Sequence, residues 1–143
     1  MMFPVGRVTL ATLLAGAIIG PAAVAQAEPA AAPPLRQVKY TVWTEQPYNG
    51  AEIYFRDTDP PNWAEYSHNP YLYSPNIEAN LGPDNKWVLD VGLANPDAWA
   101  MVTASIATDS QAAPNFHCVL AVDGVVVKTH QGPKGALCSI RTW

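Results

Sequence analysis

FHCVLAVDGVVVKTHQGPKGALCSI, residues 116–140, carries both cysteines of the chain, its clearest hairpin turn and its longest β-branched run. Residues 119–122 and 125–128 read as two strands, and the Asp123-Gly124 pair between them can take the positive φ angles of a two-residue type I′ turn. Gly132-Pro133 marks a second turn, and residues 135–140 read as a third strand. Cys118 and Cys138 therefore begin and end a three-strand unit. In a simple meander the first and third strands lie about 9.6 Å apart, twice the usual spacing of about 4.8 Å. A disulfide needs Cα atoms within about 7 Å, so the third strand either crosses to an opposing sheet or folds back beside the first. Crossing is the expectation for a β-sandwich.

The rest of the chain agrees with an all-β reading. Val38, Tyr40 and Val42 alternate with Lys39, Thr41 and Trp43, which is the period of a half-buried strand. After a turn at residues 47–50, Ala51, Ile53 and Phe55 alternate with Glu52, Tyr54 and Arg56, whose polar face is expected to look to solvent. Residues 85–92 resume the sheet, with Trp87, Leu89 and Val91 on one face, and Asn95-Pro96-Asp97 breaks it. Residues 98–108 read as a long strand with Val102, Ala104 and Ile106 towards the core. Their alanines fit a helix too, but the β-branched Val102, Thr103 and Ile106 favour strand. The expected architecture is an antiparallel β-sandwich of immunoglobulin-like size, with about seven strands and one disulfide.

At 143 residues the chain has room for one such domain. Residues 1–27 have the build of a secretory signal: Arg7 as the basic flank, an apolar segment over 8–20, and Ala25-Gln26-Ala27 as a small-residue cleavage site. The alternative is an uncleaved anchor, for which the apolar segment falls short of the roughly 20 residues that span a bilayer. Cleavage after Ala27 leaves a Pro- and Ala-rich linker, 28–35, ahead of a domain over 36–143. In an oxidising compartment two cysteines are expected to form a bridge. The formal charge is −4, one unit more negative once Arg7 is removed, and the basic residues are scattered singly. Phosphate-backbone binding needs them clustered, so nucleic acid is not an expected partner.

A second feature of the 116–140 stretch is a resemblance. Cys118, Val122, Asp123, Gly124, Val126, Gly135, Ala136 and Cys138 stand in a pattern that resembles the C-terminal part of the MmpS family, mycobacterial accessory proteins of lipid and siderophore transporters. Val38, Tyr40 and Val42, then Ala51, Ile53 and Phe55, resemble the opening of that family's domain. The resemblance implies an extracytoplasmic protein of a mycobacterium-like actinobacterium, with a membrane transporter or an envelope lipid as its partner. Two features are this chain's own: a cleavable signal where the family keeps a membrane helix, and a longer middle.

That middle, residues 58–84, has Pro60, Pro61, Pro70, Pro75 and Pro83, which forbid a long regular element, together with Trp63, Tyr66, Tyr71, Leu72 and Tyr73. It reads as a long loop with two possible roles. Its aromatics either pack onto the edge of the sandwich, or they form a binding surface of Trp63, Tyr66, His68, Tyr71 and Tyr73 for a glycan, a lipid tail or a protein.

Motifs of chemistry are missing from the sequence. It has no Gly-x-Ser-x-Gly elbow, phosphate loop, dinucleotide fingerprint or His-Glu-x-x-His, so neither a cofactor nor an enzymatic activity is expected. Asp57 and Asp59 share a face if they lie on a strand, which suits either a hard cation or a hydrated loop entrance. His117 adjoins Cys118, but neighbouring strand residues point to opposite faces, and a bridged cysteine offers no thiolate. No metal is expected. The reading is a secreted, non-enzymatic binding or accessory protein. Its alternative is a small-ligand or glycan-binding module that uses the aromatic loop.

Overall fold

Alternating apolar residues give the chain eight strands in a computed structural model, which describes residues 33–142 and, ahead of them, 16, 17, 19 and 20. Residues 1–31 and 32–143 form two units, and the sandwich is the second. Most of the expected signal segment and most of the linker lie outside the described residues. Among those described, no helix is long and apolar enough to cross a membrane.

One sheet contains β4 (Trp87–Leu93), β1 (Arg36–Thr44), β6 (Phe116–Val122) and β7 (Val125–Gly132), in that spatial order. The other contains β3 (Asn76–Leu81), β2 (Tyr48–Phe55), β5 (Met101–Ser105) and β8 (Gly135–Ser139). Every pairing is antiparallel. The expected sandwich is what forms, with one strand more than the sequence pattern indicated.

The inward residues are those the alternation selects. Val38, Tyr40 and Val42 of β1 face Ala51, Ile53 and Phe55 of β2, with Val102 and Ala104 of β5 and Phe116, Cys118 and Leu120 of β6 completing the layer. Full burial of each large aliphatic or aromatic side chain contributes about 1.5–3 kcal/mol. Cys118 and Cys138 are bridged between the two sheets, with Cα atoms 6.1 Å apart. Of the two routes open to the last strand, the chain takes the crossing: β8 pairs with β5, not with β6. Asp123 (φ 50°) and Gly124 (φ 81°) form the hairpin turn. The tip is tied back to β1, because Asp123 Oδ2 accepts from Arg36 Nε and Oδ1 from the Gln37 N–H, both at 3.0 Å. Those two donors, Arg36 first, hold the Asp123 carboxyl below its ordinary range.

Three expectations are corrected. The 58–84 stretch is not one loop: it contains β3, in which Ile77, Ala79 and Leu81 point inwards between Pro75 and Pro83. Prolines at both ends bracket a short strand as readily as they interrupt a long one. It also contains a helix, α1 (Trp63–His68), whose first turn is capped by Asn62 Oδ1 accepting the Glu65 N–H at 2.8 Å, and a 3-10 turn at Pro70–Tyr73. The strand expected from residue 98 begins at Met101. Asn95 caps a helical turn, α2 (Pro96–Trp99), with proline in the first-turn position that suits it. Finally, Arg56 does not face solvent. It lies one residue beyond β2 and is fully buried.

Candidate functional site

Arg56 organises the region that carries the expected binding residues. Its Nε donates to the Trp99 carbonyl (3.1 Å), and its Nη1 to the Tyr73 carbonyl (3.0 Å) and to Ser74 Oγ (3.0 Å). The guanidinium carbon lies 4.5 Å from the centre of the Tyr66 ring and 5.8 Å from that of Trp99. The planar fork thus bonds α2 and the 3-10 turn while its face stacks on α1. From below, Tyr40 Oη donates to the Arg56 carbonyl at 2.7 Å and accepts the Met101 N–H at 3.3 Å. Burial pushes the Tyr40 phenol well above its ordinary value, so it stays a neutral donor.

On this support stands an aromatic cluster. Trp63 lies 5.3 Å from Tyr66 and 6.0 Å from Trp99, and Tyr66 lies 5.5 Å from Trp99, centre to centre. Beside it an open groove of about 430 Å³ runs between the outer face of the β3-β2-β5-β8 sheet and the 66–74 segment. Its floor is Tyr54, Met101 and Thr103, and its far wall is Tyr66, Pro70, Tyr71 and Ser74.

The five residues expected as a binding surface separate here. Tyr66 and Tyr71 line the groove, and Tyr71 is 77% exposed. Trp63, 46% exposed, flanks it with its ring tilted against Tyr66. Tyr73 is half-buried and contributes its carbonyl to Arg56, which is a structural role. His68 is exposed in the last turn of α1 and is not among the lining residues. Of the five, two thus line the groove, one flanks it, one is tied into its support and one stands apart. Sequence reading missed Tyr54, Met101 and Thr103, which reach the groove as outward residues of β2 and β5. It also missed Arg56, for which a strand period gives no signal.

The remaining candidates are accounted for elsewhere. Asp59 accepts the N–H groups of Ala94 (2.7 Å) and Asn95 (2.8 Å), so its carboxylate fixes the entry to α2. Among the described residues no three of His, Cys, Asp and Glu come together as metal ligands would. His117 points away from the bridged Cys118, as alternation requires. Its ring stacks on Trp43 at 4.9 Å, and Nε2 lies 2.9 Å from Glu45 Oε1, which holds the Glu45 carboxyl below its ordinary value. A second groove of about 490 Å³ runs past Trp43 and His117. Lys86 Nζ, 4.4 Å from the Trp43 ring centre, covers a ring that His117 already stacks on. That ring offers little face to a ligand, whereas Tyr71 is open.

Fold and site together define a disulfide-stapled, two-sheet antiparallel sandwich with an aromatic groove built over one sheet. Residues 40–138 match the Rv2576c beta-sandwich domain family, and the chain belongs to that family. It is 35% identical over 137 residues to Rv2576c of Mycobacterium tuberculosis (strain ATCC 25618 / H37Rv) and to Mb2606c of Mycobacterium bovis, covering 95% of this chain and 84% of each relative. Both relatives are described as uncharacterized proteins. No solved structure matches the chain.

Proposed function

We propose that the protein is an extracytoplasmic, non-enzymatic binding protein that takes the apolar part of a small ligand in the groove between Tyr54 and Tyr71. The observation that carries this reading is the composition of the groove. Tyrosine rings, Met101 and Pro70 supply apolar surface, and among the described residues the lining side chains include hydroxyls but no carboxylate, amide or basic group. Apolar walls with a few polar groups are the usual make-up of a small-molecule site. The same list argues against a glycan. Sugar hydroxyls lose water on binding and need donors and acceptors in return, and a handful of hydroxyls supplies few. A nucleophile activated by a neighbouring base has no counterpart here either. Ser74 Oγ accepts from the cationic Arg56, which draws electron density away from that oxygen. The inter-sheet disulfide supports an oxidising compartment.

Titration with decanol, followed by the fluorescence of Trp63 and Trp99, tests the reading. Decanol is expected to bind, and Tyr71→Ala and Tyr54→Ala to weaken it at least about tenfold, the factor that about 1.4 kcal/mol of lost contact gives. Binding unaffected by either substitution would remove the groove from consideration.

The transport-accessory role implied by the MmpS resemblance is a second reading. It is favoured by β7, which adjoins the residues that carry the resemblance. This edge strand exposes Val125, Val126 and Val127 and offers its outer backbone to a partner strand. Crosslinking to a membrane protein in cell-envelope extract, lost when Val126 is changed to Lys, is the outcome this second reading expects.

A further inference from the structure

The floor of the aromatic groove continues across the sheet into a groove of opposite character. Met101 and Thr103 of β5 are the direct cross-strand partners of Ser139 and Leu137 of β8. Val102, Ala104, Ala136 and Cys138 face the core, so these four point outwards together. Leu137 and Ser139 in turn line a groove of about 290 Å³ with Lys128, His130 and Arg141. Among the described residues no acidic one lines it, although the chain as a whole has 12 acidic and 8 basic side chains. Lys128 and His130 are two apart on β7 and share a face. Among the described residues Lys128 enters no ion pair. His130 accepts the Leu137 N–H on Nδ1 at 3.1 Å, so the neutral ring carries its proton on Nε2, available as a donor. Arg141 stands 4.1 Å over the ring of Trp63, which packs on Tyr66 of the first groove. The cationic groove and the aromatic groove therefore adjoin, through cross-strand neighbours on their floors and through the Arg141–Trp63–Tyr66 contacts at their sides.

We propose that the two grooves hold one amphipathic anion. Its apolar part lies between Tyr54 and Tyr71 and crosses Met101 and Leu137, and its carboxylate or phosphate sits among Lys128, His130 and Arg141. This rests on the groove-binding reading above and adds the charge and the polarity of the ligand. The span fits a chain rather than a compact ring: β2 to β8 is two strand spacings, about 10 Å, and β7 lies beyond. At the anionic end the donors differ in kind. Lys128 is a point charge on a flexible stem, Arg141 a planar fork and His130 an N–H donor oriented by its contact with Leu137, and hydrogen bonds to an ionised group are about twice as strong as neutral ones.

The test is calorimetric titration of the full mature chain with decanoate, decyl phosphate, decanol and inorganic phosphate, below any micelle concentration. Decanoate and decyl phosphate are expected to bind at least about tenfold more tightly than decanol, as one or two charge-assisted hydrogen bonds would give. Lys128→Gln with Arg141→Gln should bring decanoate down to the affinity of decanol while weakening decanol itself far less, through the lost Arg141–Trp63 contact alone. Tyr71→Ala should weaken both. Both positions are exposed, and an unchanged thermal midpoint checks that the double variant is folded. If decanoate and decanol bind equally and the double variant alters neither, the anionic subsite is wrong while the aromatic groove stands. If inorganic phosphate binds as tightly as decyl phosphate and both are lost in the double variant, the site serves a free anion and the single-ligand proposal fails. If no decyl compound binds, the groove reading and the proposal fall together.

Discussion

The unit between Cys118 and Cys138 and the segment between Arg56 and Pro75 both leave the first two strands behind, and they are fixed to the sandwich by opposite means. The first is held by what a sequence displays: inward alternation in β6, a turn dipeptide with positive φ, and a disulfide between sheets. The second has no buried residue in α1 or in the 3-10 turn. It is held from outside, by one buried guanidinium that gathers the Tyr73 carbonyl, Ser74 Oγ, the Trp99 carbonyl and the Tyr66 ring. A repeating pattern builds the frame, and a single polar residue places the site upon it. Tyr71 can therefore stay exposed, because it is not needed to hold its own segment down.

If that contrast is right, the largest single loss of stability belongs to Arg56. Arg56→Ala removes three hydrogen bonds and leaves buried carbonyls unsatisfied, and is expected to cost about 4 kcal/mol in a urea titration. Arg56→Lys, which keeps the charge and loses the fork, should recover only part. A cost under about 1 kcal/mol would mean that the segment is held by something else. Next comes the bridge. Cys118→Ser with Cys138→Ser should cost about 3 kcal/mol, as expected for a loop of this size, and alkylation of the unreduced native protein should label neither cysteine.

A smaller effect follows from Tyr40, which links the two regions. Its phenol is raised by burial, whereas in the unfolded chain it ionises near pH 10. Above about pH 10 the unfolded state gives up a proton that the folded state keeps, so stability falls as pH rises there. Tyr40→Phe should flatten that alkaline fall while losing about 1 kcal/mol at neutral pH for the two hydrogen bonds. The smallest effect is at Tyr71. Its side chain is so exposed that Tyr71→Ala should shift stability by less than about 0.5 kcal/mol, and a larger shift would return Tyr71 to a packing role.

The same contrast explains what could be read from the sequence. Sandwich, hairpin, bridge and the departure of β8 follow from period-2 alternation and from the reach of a disulfide, and they are present. Residues 76–81 also alternate, but Pro75 and Pro83 hide them among loop signals, so β3 is legible only once the prolines are taken as its borders. Ala98 and Trp99 look like the start of β5, because a four-residue helical turn is too short to show a helical period. Trp63, Tyr66 and Tyr71 stand out by composition alone. Arg56 does not, since it sits in the outward phase of β2 and is buried only because α1, α2 and the 3-10 turn close over it. Tyr54 and Thr103 are ordinary outward strand residues until that closure gives them a wall to face.

The most direct measurement is chemical-shift mapping of the amide resonances during titration with decanoate. Binding in the proposed groove predicts shifts at Tyr54, Tyr71, Met101, Thr103 and Leu137, with Lys128 and His130 of the edge strand β7 moving at the anionic end, while Trp43 of β1 and His117 of β6 stay still. Shifts centred on Trp43 and His117, or none at saturating ligand, would contradict it.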